Sequence, residues 1–191
     1  MKVIGLDLSL LATGLCILEG EPGGSPSYRS MLIPGRKTEG IQQSIERLLN
    51  TANIITSIVT QESPDSVIIE APAKNQVWQA AAIGELHGVV KTQLYVVCNV
   101  VPLVEQATKM RKAVIGKIER SFESFTDKSG KKKRRVSYGS VLGKSGRAKR
   151  ATVKDVIERI LAGRGLSFPT QDEMDAYVAA KFAWDRLANP S

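Results

Sequence analysis

Apolar residues recur along this chain with two different periods, and each change of period marks a new element. From Lys2 to Leu8 apolar positions alternate and then run on, the pattern of a buried strand. Leu15-Cys16-Ile17-Leu18 predicts a second strand returning after the turn at Thr13-Gly14. A Gly/Pro/Ser-rich turn from Gly20 to Ser27 leads to a third near Tyr28–Ile33, which completes an antiparallel meander. The period then becomes helical: Ile41, Ile45, Leu48, Leu49, Ala52, Ile55 and Val59 share one face of a helix from about Thr38 to Thr60. Pro64-Asp65 breaks the chain, and Ser66-Val67-Ile68-Ile69 predicts a short, fully apolar strand that ends in Glu70-Ala71-Pro72.

A helix over Trp78–Tyr95 follows, with Ala80, Ala81, Ala82, Gly84 and Gly88 clustered in it. Small side chains there suit close approach of another backbone. Val96–Val104 predicts another apolar strand closed by Pro102, and Thr108–Ile115 a short helix. Residues 117–148 break the pattern, with Gly, Ser, Lys and Arg dominant, and predict a basic arm or hairpin. Val153, Val156, Ile157, Ile160 and Leu161 mark an amphipathic helix stopped by Gly163-Arg164-Gly165. A last helix starts at Thr170, where Thr170 and Glu173 have capping-box spacing, and runs to Leu187. A meander followed by alternating strands and helices implies an α/β domain, a mixed sheet with helices on its faces.

Composition narrows the class. The 191 residues suit one domain, 1–191, with the basic segment as an insertion, and 42% hydrophobic with 24% charged residues is an ordinary globular balance. No apolar run is long enough to span a membrane, and the chain opens directly on a strand, so no signal peptide is expected. Cys16 and Cys98 sit in apolar runs without metal spacing and read as buried thiols of a cytoplasmic protein. The net charge of +8 is local: residues 128–150 hold ten of the 27 basic residues and none of the 19 acidic ones. A nearly neutral body with one strongly basic segment points to a polyanion, with nucleic acid the obvious partner. Lys131–Arg135 also matches a nuclear-import tract, a pattern common by chance.

Three acidic features lie where chemistry is commonly placed. Asp7 stands in a buried strand, where an unpaired carboxylate is costly. Glu70 ends another such strand, the position at which open α/β sheets carry ligand and catalytic groups. Asp172 and Asp175, three apart on the last helix, share one face, and such neighbours repel unless a cation lies between them. The bland alternative for that pair is an acidic first turn complementing the helix dipole. His87, alone in the small-residue helix, reads as structural, and Ser9 and Thr13 read as turn-fixing residues, not nucleophiles. Neither a Walker A loop nor a nucleophile elbow nor zinc spacing occurs.

Taken in order, these features resemble the RuvC family of Holliday-junction resolvases. Asp7-Leu8-Ser9 with Thr13-Gly14 matches the family's opening motif, and Ile68-Ile69-Glu70 its strand-ending glutamate. Gly84-Glu85-Leu86-His87-Gly88 is similar to its Gly-x-x-x-Gly helix, Met110 to Gly116 to its Val-Lys-x-x-Val-x-Gly stretch, and Asp172, Asp175 and Ala176 to its closing motif. Two departures stand out: Ala73 where bacterial members carry an aromatic, and a longer basic insertion. Both make the chain look like a phage-type relative, which would act in the host cytoplasm.

The resemblance implies a ribonuclease H-like fold with a mixed five-stranded sheet, an antiparallel meander then parallel strands, and helices on both faces. It implies a nuclease that cuts four-way DNA junctions by paired nicks, as a homodimer, without a nucleotide cofactor or membrane. Asp7, Glu70, Asp172 and Asp175 would be the catalytic residues and would hold two Mg²⁺ ions, with Mn²⁺ as a substitute; oxygen donors suit such hard cations. Lys109, Arg111, Lys112, Arg147, Lys149 and Arg150 are candidates for phosphate contacts. Other readings are a non-catalytic nucleic-acid binder on the same fold, a less selective nuclease on flaps, forks or RNA, and an actin-like ATPase or sugar kinase. The last needs a second lobe for which 191 residues leave little room.

Overall fold

The computed structural model describes residues 1–72, 77–118, 121–126, 129, 131–142 and 148–189. Its contacts gather into two units, Met1–Val114 with Phe168–Ser191, and Ile115–Ser167.

The first unit is built on β1 (Lys2–Asp7), β2 (Ala12–Glu19), β3 (Ser27–Pro34), β4 (Ser66–Glu70) and β5 (Leu103–Glu105), in sheet order β3-β2-β1-β4-β5. The meander pairs antiparallel, and β4 and β5 join β1 in parallel, so the mixed five-stranded sheet is as expected. Alternation sorts the strands' side chains between two layers of helix. Ile4, Leu6, Leu15, Ile17, Val67 and Ile69 point to one face. There they pack with Leu48, Ala52, Ile55 and Val59 of α1 (Ile41–Glu62) and Leu86, Val90 and Leu94 of α2 (Val77–Cys98).

The opposite face belongs to α5 (Gln171–Ala188), whose Ala176, Ala179, Ala180 and Ala183 are fully buried. Helix and sheet approach so closely that two strand residues have no side chain. A Cβ at Gly5 would lie against the Ala176 carbonyl and 2.5 Å from Ala180 N, and one at Gly14 against the Asp172 carbonyl and 2.9 Å from Glu173 N. Thr170 caps α5, its hydroxyl accepting from Glu173 N–H at 3.2 Å and donating to Glu173 Oε2 at 2.8 Å. Glu173 also accepts from Ser30 Oγ at 3.0 Å and so ties the helix start to β3. Tyr28, Phe168 and Tyr177 stack beside this tie, ring centroids 5.0–5.5 Å apart.

Two sequence expectations change. Val96–Val104 is not one strand: α2 continues to Cys98, and only Leu103–Glu105 pairs with β4. The helix ends where Asn99 takes a left-handed conformation (φ 54°), with Asn99 N–H donating to Tyr95 O and Val100 N–H to Leu94 O. Asn tolerates that conformation and caps carbonyls an apolar pattern does not reveal. In α1, the forward part of the expected face is exposed: Ile41, Ile45 and Leu49 lie in solvent, while Thr51 and Thr56 are buried. A 22-residue helix is ~33 Å long and the strands beneath it ~17–27 Å, so its first turns overhang the sheet.

In the second unit the basic segment forms ribbons. β6 (Ser121–Thr126) pairs with β7 (Lys132–Ser137), and β8 (Ser140–Leu142) with β9 (Ala148–Arg150). Ala151 N–H donates to Gly139 O, and α4 (Val153–Gly163) starts at a reciprocal capping box between Thr152 and Asp155. Among the described residues no helix is long and apolar enough to cross a membrane.

Candidate functional site

The acidic residues singled out in the sequence all lie in the first unit, at the end of its sheet where β1 and β4 finish. Asp7 is two residues beyond Gly5 and therefore stands on the α5 face of β1. Its register partner is Gly14, the residue whose bare Cα lets the first turn of α5 settle, bringing the Asp172 backbone to the strand. The parallel pairing of Leu6 with Ile69 puts Asp7 next to Glu70 on the adjacent strand, one strand spacing (~4.8 Å) away. Val67 and Ile69 point into the opposite core, so Glu70 shares the α5 face.

One cation connects the far members. Arg111, on α3 (Ala107–Ile115), places Nη2 2.9 Å from Asp175 Oδ1 and 3.8 Å from Glu70 Oε2. The Asp175 side chain is fully buried, and removing one member of such a buried pair costs ~3–5 kcal/mol. Asp172, half-buried, lies one turn earlier at the positive end of the helix dipole, which favours a carboxylate there. The structure thus joins Glu70 and Asp175 through a guanidinium and Asp7 to Glu70 through register, and it sets the Asp172 backbone against Gly14, the register partner of Asp7.

An acid that sequence reasoning missed is Glu105, the register partner of Glu70 across β4 and β5. Two carboxylates side by side repel. Lys109 forms an ion pair with Glu105 and holds its carboxyl below the usual range. Helix α3 therefore supplies one cation to each of the two strand-end acids, and the Glu105–Lys109 spacing of four was a legible sign of it. Of the expected phosphate contacts, Lys109 and Arg111 are engaged in these pairs and Lys112 is exposed. Lys149 and Arg150 lie on β9 of the second unit, and Arg147 and Ala73 fall outside the described residues.

The remaining candidates take structural roles. Thr13 Oγ1 donates to Ser9 O at 3.1 Å, and Ser9 Oγ accepts from Leu11 N–H at 3.4 Å, so both residues shape the β1–β2 turn. Burial, with Glu173 nearby, pushes the Cys16 thiol up to about 12, which makes it inert at neutral pH. His87 is buried on α2, its Nδ1 without a hydrogen-bond partner. Burial, with Lys91 as a lesser cause, lowers its pKa from 6.5 to about 4. The unfolded chain therefore binds an extra proton between those values, and the stability present above pH 6.5 is lost as pH falls towards 4. Urea melts should show His87→Gln less pH-sensitive than wild type by about 2 kcal/mol between pH 7 and pH 5.

All four proposed ligands are carboxylates, a donor set that suits a hard divalent cation. As placed, Glu70 and Asp175 are paired by the Arg111 guanidinium, and among the described residues no three His, Cys, Asp or Glu side chains gather closely enough to hold an ion.

No protein-family model matches the sequence, and no curated protein sequence does. The fold does have solved counterparts. The structure of Thermus thermophilus RuvC superposes with a TM-score of 0.67 at 16% identity, over 98% of this chain and 95% of that one. That of T. thermophilus RuvC in complex with a Holliday junction substrate superposes at 0.66 and 14%, with the same coverage. The chain has the RuvC fold. This is the ribonuclease H-like arrangement of a mixed five-stranded sheet between helices. Within the RuvC fold Asp7 and Glu70 end the two central parallel strands, and α5 brings Asp172 and Asp175 to them from one side.

Proposed function

We propose that this chain is a metal-dependent DNA endonuclease that resolves four-way junctions by paired, symmetric nicks. The observation that carries the reading is the meeting of acids more than a hundred positions apart, Glu70 with Asp175 at Arg111 and Asp7 beside Glu70, at the strand ends of a RuvC fold. The Thermus protein of the same fold has been solved with a Holliday junction, which supports branched DNA as the substrate class. Asp7 and Glu70 would hold divalent ions, with Asp172 and Asp175 completing the set. Such ions, when bound, activate a water and stabilise the leaving oxygen. The protein's own part is to present the carboxylates from rigid elements and to keep their mutual repulsion in check through Arg111.

Paired nicks call for two sites related by a two-fold axis, hence a homodimer. Helix α2 offers a surface for it: Gly84 and Gly88 are exposed, and a Cβ on either would touch nothing within 4 Å. Sedimentation should return a dimer at micromolar concentration; a monomer there would remove this part of the proposal.

The Arg111 bridge favours one alternative, a nucleic-acid binder whose acidic site is neutralised internally and never takes metal. A synthetic four-way junction separates the two. The nuclease should nick opposing strands with Mg²⁺ or Mn²⁺ and stop in chelator while still binding. Binding without cleavage in both metals would leave the binder.

A further inference from the structure

A polar cavity opens on the opposite face of the sheet, at the same end of the strands. It has a volume of about 600 Å³ and lies between the segment that leaves β3, with Gly35 and Arg36, and the overhanging part of α1, with Glu46, Arg47, Asn50 and Thr51. Neither arginine figures among the phosphate contacts expected from the sequence.

We infer that this cavity is a phosphate subsite, taking one backbone phosphodiester of the DNA strand that runs on from the carboxylate site. The inference rests on the junction-nuclease reading for its ligand, but its geometry is independent. Arg47 is held in place from below: its Nη1 donates to Arg36 O at 3.2 Å and its Nη2 approaches Ser44 Oγ at 3.4 Å. Its Nε is buried without a partner. Arg36 is mostly exposed, and its acidic neighbour Glu46 lies at a long 3.4 Å with half of its side chain in solvent. A loose, solvated pair of that kind yields readily to a phosphate, which can take two N–H groups of a guanidinium fork at once. The two arginines against one glutamate leave the wall net positive, and Asn50 adds an exposed amide at its rim.

The cavity is also registered to the acids. Gly35 N–H donates to Leu11 O at 2.8 Å, and a Cβ at Gly35 would collide with the Leu10 carbonyl, so the segment is pressed onto the turn that follows Asp7. Pro34 pairs with Ala12, and Asp7 with Gly14. Pro34, at the cavity's rim, is therefore two strand spacings across and two residues along from Asp7, roughly 12 Å in the plane of the sheet, with the cavity on the α1 face and the carboxylates on the α5 face. At about 3.4 Å of rise per nucleotide, this is the reach of three or four nucleotides along one strand. A strand with a phosphate at the carboxylates can place another here by passing over the strand ends and the β1–β2 turn.

The test is junction binding by fluorescence anisotropy in chelator, over a salt series, for wild type, Arg36→Ala, Asn50→Asp and Arg47→Gln, each checked by thermal melting. Arg36 and Asn50 are exposed, so those two variants should fold as wild type does even if Arg47→Gln does not. The expected result is a salt slope shallower by about one for Arg36→Ala and affinity reduced about tenfold for Asn50→Asp. Wild-type slope and affinity in both would overturn the subsite while leaving the junction reading intact. If the wild-type chain binds no junction and no duplex, both fall together. Inorganic phosphate at millimolar concentration should compete only weakly; full competition would assign the cavity to a free anion and overturn the DNA assignment.

Discussion

Asp175→Asn should bind a four-way junction with wild-type affinity and cut it at least ~10²–10³-fold more slowly. The scale is that of losing one electrostatic contact to a reacting phosphate in a preorganised site. Asparagine keeps the shape, and its Oδ1 can still accept from Arg111 Nη2, now 2.9 Å from the aspartate oxygen, so the helix should stay where it is. What disappears is the negative charge, which serves either to hold an ion or to balance the guanidinium. Because Arg111 also reaches Glu70 at 3.8 Å, it keeps a counter-ion, and the stability loss should stay well below the ~3–5 kcal/mol of a stranded charge. Full activity in Asp175→Asn would remove that residue from the site.

The variant also separates two roles of the Arg111 bridge. If the guanidinium competes with metal for the two carboxylates, Asp175→Asn weakens metal binding less than a simple count of ligands would suggest, because one competitor has loosened its grip. Titration calorimetry with Mn²⁺ in the absence of DNA reads this directly.

Much of the fold was legible because its periods are clean. Strands such as Val3–Leu6 and Val67–Ile69 are buried on both faces, and only a run of apolar residues bounded by turns can be that. The acids at Asp7 and Glu70 stood out for the same reason, each a charge at the end of such a run. What could not be read was set by contacts distant in sequence. Nothing near Arg111 says that its side chain meets an aspartate 64 positions away instead of a phosphate. The overhang of α1 depends on the lengths of strands that the helix does not contain, so Ile41 and Ile45 look like core in the pattern and lie in solvent. The end of α2 turns on Asn99, a single residue able to adopt a left-handed backbone within an otherwise apolar stretch.

The closeness of α5 to the sheet was written in the sequence as well, in two glycines that strand propensity would discourage. Gly14→Ala should be among the most disruptive single-methyl changes at the described glycines. The added Cβ would fall on the Asp172 carbonyl and 2.9 Å from Glu173 N, both backbone atoms of a helix turn that cannot rotate away as a side chain can. Overpacking of this kind costs ~1–3 kcal/mol and occasionally more. Relief requires the first turn of α5 to lift, and that turn carries Asp172 and the Glu173 clamp to Ser30. Loss of stability and loss of cleavage should therefore appear together. Gly88→Ala provides the contrast, since its Cβ meets nothing within 4 Å and a helix interior gains ~0.5–1 kcal/mol from the exchange. If α2 forms the dimer interface, however, the same methyl should stabilise the isolated chain while weakening self-association. Denaturation and sedimentation of the two variants side by side would show whether the space beside Gly88 is open in the working protein or filled by its partner.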